Sequence, residues 1–196
     1  MVSFFHKTLT KNKGGIKMNR KVKLITTVGV LSALSIILYF IEFSLFGLFP
    51  TFLKIDLSDV PAILAGISFG PIAGVGIELI KNIVHFLLVN RTPFGSGEIG
   101  NFFAGIGLML PIAITIRKTG KHNILPYALG TIFMSILANI MNYFISFPLY
   151  GIPAEQRWPT IVSATLPFNI VKGIIISIIT AALYIRLKAF FEKLKY

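Results

Sequence analysis

The sequence predicts an all-α membrane protein: six transmembrane helices, both termini cytoplasmic, and a long outer loop between helices 1 and 2. Three observations predict it. The 196-residue chain is 55% hydrophobic, too apolar for a water-soluble domain of this size. Its apolar tracts approach or exceed the roughly 20 residues that cross a bilayer. Its basic residues gather in three clusters that punctuate those tracts. The net charge of +12 therefore reflects membrane topology and not a nucleic-acid surface. Cysteine is absent, which excludes disulfides, thiolate metal sites and cysteine nucleophiles.

The first 17 residues are polar and basic and precede a second methionine, Met18. They read as a disordered extension ahead of a transmembrane domain over 18–196. Span 1 covers 24–43. It is long and lacks a following small-residue cleavage pattern, which argues against a cleaved signal peptide. Span 3 covers 72–89, span 4 covers 99–116, span 5 covers 124–147 and span 6 covers 161–185. Residues 60–69 are apolar but short, and Pro71 closes the tract.

Charge decides whether the short tract crosses. Lys7, Lys11, Lys13, Lys17, Arg20, Lys21 and Lys23 precede span 1. Arg117, Lys118 and Lys121 separate spans 4 and 5, and Arg186, Lys188, Lys193 and Lys195 follow span 6. All three clusters belong on the cytoplasmic side, so an even number of crossings separates each from the next. Parity then makes the short tract span 2. A half-length span in a plain bundle is odd, and it predicts that the outer connection 44–59 dips in and covers something.

Span 6 carries the most costly residue. Lys172 sits in an apolar tract, with Asn169 three residues earlier on the same helix face. A charge at bilayer depth costs a few kcal/mol unless it is paired or lines a cavity, so it marks a candidate site. Glu98 and Asn101 open span 4, and Asn139 and Asn142 lie in span 5. If helix 6 starts at Pro167, Lys172 lies about 8 Å along it. Three spans then bring amides and a cation to one outer-half depth, as for a pocket capped from outside. Asparagine offers a donor and an acceptor to a planar amide or imide edge. Phe46, Phe49, Phe52 and Phe168 can sandwich a flat ring. No arginine cluster or phosphate loop is present, so a neutral heteroaromatic ligand fits better than an anion. The alternative is that these asparagines only join helices by hydrogen bonds.

Span 3 carries Glu78, Lys81, Asn82 and His85 in one stripe. Glu78 and Lys81 can form a structural ion pair, or Glu78 and His85 a proton relay. No second His or Cys stands at ligand spacing, so no metal site is expected. Gly29 and Ala33, with Ser32 alongside, give span 1 a face that another helix can approach closely. No P-loop, zinc-protease or Ser/His/Asp pattern occurs.

These blocks carry a resemblance. LKIDLSDVPAILAGISFGPIAGVGIELIKNIVH at 53–85, TPFGSGEIGNFFAG at 92–105, and span 6 with Asn169 and Lys172 are similar to the substrate-binding (S) components of energy-coupling factor vitamin transporters. Most closely they resemble the riboflavin-specific member. The similarity runs over nearly the whole chain from Met18. It implies a six-helix vitamin-binding protein without cofactor or catalytic activity. It also implies an outer-facing pocket, with the loop after helix 1 as a lid that carries Phe46, Phe49 and Thr51. It implies docking, through positions matching Gly29, Ser32 and Ala33, onto a transmembrane coupling protein driven by two ATPases. For riboflavin, the uracil-like edge would meet Asn169, Lys172 and a span 5 asparagine, Asn139 or Asn142. The ribityl hydroxyls would use Glu98 or Asn101. An S component for another vitamin, a self-sufficient carrier, and a membrane enzyme using Glu78, Lys81 and His85 stand as alternatives.

Overall fold

The computed structural model describes residues 20–45, 47–89 and 92–195. The expected extension over 1–17 and the lid residue Phe46 lie outside the described residues. Helix α1 is Arg20–Phe40. A short antiparallel strand pair follows, β1 Phe43–Ser44 with β2 Lys54–Ile55, in the register Phe43 opposite Ile55. Then come α2 Asp59–Phe69, α3 Pro71–Leu88 and α4 Ser96–Thr119. Helix α5, Ile124–Met141, runs through a π-helical turn, Asn142–Ser146, into α6, Phe147–Leu149. Helix α7, Ala154–Thr160, runs through a second π-helical turn, Ile161–Thr165, into α8, Leu166–Lys195. Five helical stretches are long and apolar enough to cross a bilayer; α2 is a shorter apolar helix.

Helix α2 explains the half-length tract. Its 11 residues rise about 16 Å, half of the roughly 30 Å hydrocarbon core. Every residue from Asp59 to Ser68 is buried, so it runs through the middle of the bundle. At Gly70 the backbone takes φ 121 and ψ 158, a conformation open essentially to glycine alone. Pro71 then starts α3 with its φ preset for a helix. The result is an antiparallel hairpin, in which Asp59 on α2 pairs with Lys81 on α3. Arg117, at the end of α4, donates to the carbonyls of Ile67 and Ser68 at 3.0 and 3.3 Å and so caps the end of α2. The loop enters α2 from β2 through the buried residues Asp56 and Ser58.

Small residues let the helices close up. A Cβ at Gly74 would stand 2.8 Å from the Ala62 carbonyl oxygen, so α2 and α3 pack nearly backbone to backbone. A Cβ at Gly130 would stand 2.7 Å from the Leu108 carbonyl oxygen, and this contact brings α4 against α5. Around these contacts the core fills with Ile63, Ile77, Leu108, Ile112, Met134 and Ile176, all fully buried.

The start of the last span differs from the sequence expectation. Pro167 does not open a helix; the chain is already helical from Ala154. Proline removes one backbone donor and crowds the preceding turn, and the widened π turn immediately before it absorbs that change. Lys172 is correspondingly deeper than one and a half turns from a helix start. It lies 3.8 Å from Asp59, the first residue of the half-length α2, and so near mid-depth of the bundle.

Candidate functional site

One cavity opens at the end of the bundle remote from Arg117, Lys118 and Lys121. The end of α1 supplies Tyr39, α3 supplies His85, and the start of α4 supplies Glu98 and Asn101. The π turn after α5 supplies Asn142, and α8 supplies Phe168, Asn169 and Lys172. The loop after α1 supplies Glu42, Phe52, Lys54 and Asp56. The cavity volume is about 160 Å³, below the roughly 300–1,000 Å³ of small-molecule sites.

The floor is a buried ion-pair network. Lys172 Nζ donates to Asp56 Oδ2 at 2.9 Å and lies 3.8 Å from Asp59 Oδ2. Lys81 pairs with Asp59 and with Glu78, the latter at 2.8 Å. Its ammonium also donates to Ser58 Oγ at 2.8 Å. Asp56 accepts from the Ser58 backbone N–H at 2.9 Å and from Asn101 at 3.4 Å. Ser58 in turn accepts at its carbonyl from Ser35 of α1. Two buried cations thus share three buried carboxylates contributed by the loop, α2 and α3. Such groups are tolerated at this depth because each has a partner.

A second pair lines the wall. His85 Nδ1 lies 2.8 Å from Glu98, and Thr92 donates to the other oxygen of that carboxylate at 2.8 Å. Tyr39 stacks on the His85 ring at 3.9 Å between centroids. His85 therefore faces Glu98 and not Glu78, and the relay considered within span 3 does not form. The Glu78–Lys81 ion pair does form. Tyr150, beyond the end of α6, also lines the cavity. Its hydroxyl titrates above the ordinary phenol value, first through burial, and the nearby Glu98 carboxylate adds to this. It is a neutral donor.

The residues expected at the site divide clearly. Glu98, Asn101, Asn142, Asn169 and Lys172 all line this one cavity. Phe49 sits behind it, edge-on to Phe168 at 5.4 Å. Thr51 is exposed, and its carbonyl accepts from Ser44 across the loop. Asn139 lies apart, lining a separate groove; it donates to Ser135 and accepts from Thr165. Asn142 shares the cavity face with Ala138, whereas Asn139 shares the groove face with Ser135 and Tyr143, so the edge between the two faces falls between the two asparagines. Of the small residues on α1, Gly29 and Ala33 are exposed, whereas Ser32 is buried and donates to the Val28 carbonyl. The floor carboxylates were missed as site residues. The signal for them was present: two lysines at bilayer depth need acidic partners, and Asp56 and Asp59 lead directly into the short apolar tract.

Comparison with known proteins settles the family. The family model described as "ECF transporter, substrate-specific component" matches residues 23–184. The chain belongs to this family. It is 37% identical over 190 residues to the riboflavin transporter RibU of Staphylococcus aureus, covering 92% of this chain and 99% of that protein. It is 35% identical over 183 residues to the riboflavin transporter FmnP of Bacillus subtilis, covering 88% and 96%. A solved structure described as the S component of a bacterial ECF transporter superposes with a TM-score of 0.75 at 39% identity, covering 87% of this chain and 98% of that one. As an ECF substrate-specific component the protein is a multi-pass protein of the bacterial cell membrane and a transporter subunit, not an enzyme. The buried Glu78 and Lys81 are accounted for by their ion pairs with each other and with Asp59, and His85 by its hydrogen bond with Glu98.

Proposed function

We propose that this chain is the riboflavin-binding subunit of an ATP-driven vitamin uptake system, with the cavity facing outward beneath a lid formed by residues 41–45 and 47–55. One observation carries the reading: Asn101, Asn142, Asn169 and Lys172, from three separate helical stretches, converge on a single cavity roofed by the loop after α1. Donor–acceptor amides and one cation match the carbonyl and N–H edge of an isoalloxazine ring. Phe168, Phe52 and Tyr39 supply flat apolar walls, and Glu98 with Tyr150 offers partners to the ribityl hydroxyls. The naming of the relatives as riboflavin transporters supports the same ligand.

The outward direction follows from charge. The cavity lies at the end opposite Arg117, Lys118 and Lys121, which belong in the cytoplasm. The small cavity volume implies that a flavin enters only as the wall moves. The lid is the wall built to move: its two short strands pair over two residues each, and the Lys54–Glu42 ion pair joins its two arms near their base. The docking face for the coupling protein and its two ATPases is proposed on α1 at Gly29 and Ala33. Helix α1 is the least buried long helix, with 22% of its most apolar window covered against 33–44% in the others.

Titration of the purified protein with riboflavin, read by quenching of flavin fluorescence, tests the proposal. Lys172→Ala and Asn169→Ala should each weaken binding at least tenfold, the loss expected of a buried hydrogen bond to a charged or amide group. Unchanged affinity in both variants would remove this cavity from consideration.

A further inference from the structure

A second cavity lies outside the vitamin site. It is a groove of about 500 Å³ on the outer surface of the bundle. Ile136, Ile140 and Phe144 form one side, and Trp158, Ile161 and Leu166 the other. It forms where both helical stretches pass through a π turn, Asn142–Ser146 and Ile161–Thr165. Five of the six wall residues are at least one-third exposed, so the groove opens toward the bilayer.

Its polar floor asks for no polar ligand. Ser135 donates to the Thr131 carbonyl, and Asn139 donates to the Ser135 carbonyl and accepts from Thr165. Its length is also informative. From Ser135 to Phe144 the helix rises about 14 Å, close to half of the roughly 30 Å hydrocarbon core. The groove therefore spans about one leaflet.

Its outer end is basic and aromatic. Arg157 Nε donates to the Ile152 carbonyl at 3.1 Å. The guanidinium carbon lies 5.9 Å from the Tyr143 ring centroid. Its terminal N–H groups have no protein partner among the described residues. A guanidinium held this way presents a fork suited to a phosphate, flanked by Tyr143 and Trp158 as interfacial aromatics.

We infer that this groove is a site for one anionic phospholipid of the outer leaflet, with an acyl chain along α5 and the phosphate on Arg157. The inference is independent of which vitamin the main cavity binds. Trp158 is the only tryptophan in the chain and lines the groove, so it reports occupancy directly. The full chain is placed in phosphatidylcholine nanodiscs containing a minor fraction of bromine-labelled lipid, and quenching of tryptophan fluorescence is measured. Brominated phosphatidylglycerol should quench more effectively than the same fraction of brominated phosphatidylcholine, by about fivefold in apparent affinity. Arg157→Gln should abolish that preference while riboflavin binding stays unchanged. Equal quenching by the two labelled lipids in the unaltered protein overturns the site, and this comparison needs no variant to fold. Loss of riboflavin binding in Arg157→Gln with folding intact would overturn it too, by joining the groove to the vitamin site.

Discussion

Asp56 and Lys172 are separated by 116 residues and meet at 2.9 Å at the floor of the cavity. One comes from the loop that roofs the cavity and the other from the last helix. The same carboxylate takes hydrogen bonds from Asn101 and from Ser58, and Ser58 is bonded to α1. The lid, the cavity floor and α1 are thus joined through a single buried carboxylate. Asp56 therefore fixes the loop after α1 and the Lys172 ammonium relative to each other.

Asp56→Ala removes the hydrogen-bonded partner of Lys172 and leaves the buried ammonium only the more distant Asp59, at 3.8 Å. Removing one partner of a buried pair costs about 3–5 kcal/mol, whereas replacing both by apolar groups is far less harmful. Thermal unfolding in detergent should therefore drop markedly for Asp56→Ala and recover in part for Asp56→Ala combined with Lys172→Met. Riboflavin affinity should remain low in both. A double variant no more stable than the single one would show that the pair carries no such weight.

The ion pair between Lys54 and Glu42 is weaker. Lys54 and Glu42 pair near the cavity mouth with side chains 34% and 17% exposed, and partly exposed pairs contribute about 0.2–1 kcal/mol. Glu42→Gln should speed riboflavin release by roughly 1.4–5-fold with little change in association rate. Stopped-flow measurement of both rates checks this, and an effect confined to association would place the ion pair outside the release step.

Close approach of α4 and α5 depends on Gly130. A methyl group there meets the Leu108 carbonyl at 2.7 Å and the Ile112 side chain at 2.8 Å, contacts that force the helices apart. Gly130→Ala should destabilise the protein by about 1–3 kcal/mol, the usual cost of overpacking. A shift in thermal unfolding temperature is the readout, and an unshifted value would mean that the helices part without cost.

Gly29 and Ala33 touch nothing that would hinder larger side chains: a Cβ at Gly29 has open space around it, and Ala33 is exposed. Gly29→Leu and Ala33→Leu should leave riboflavin binding intact yet block co-purification with the coupling protein and vitamin uptake by cells. Normal assembly in both variants would move the docking face off α1.

The bundle was legible because apolar length and basic clustering are properties of the sequence itself. The short tract was legible as a separate apolar helix too short to span a bilayer by itself, which is what α2 is. Helical spacing groups residues but does not say which face looks where. It placed Asn169 and Lys172 on one face, but i,i+3 neighbours still differ in direction, and Asn139 and Asn142 fall on either side of the edge between groove and cavity. It also set Lys172 too shallow by treating Pro167 as a helix start. The partner of Lys172 was hidden for a different reason. Asp56 lies in a loop, where no periodicity fixes direction, and only tertiary folding carries it to α8.

The most direct test of the central claim is the identity of the small molecule released when the purified protein is denatured. The account predicts riboflavin, in near-equimolar amount, from protein expressed in flavin-replete cells, and its loss from the Lys172→Ala variant. Release of a different vitamin, or equal riboflavin from that variant, would contradict it.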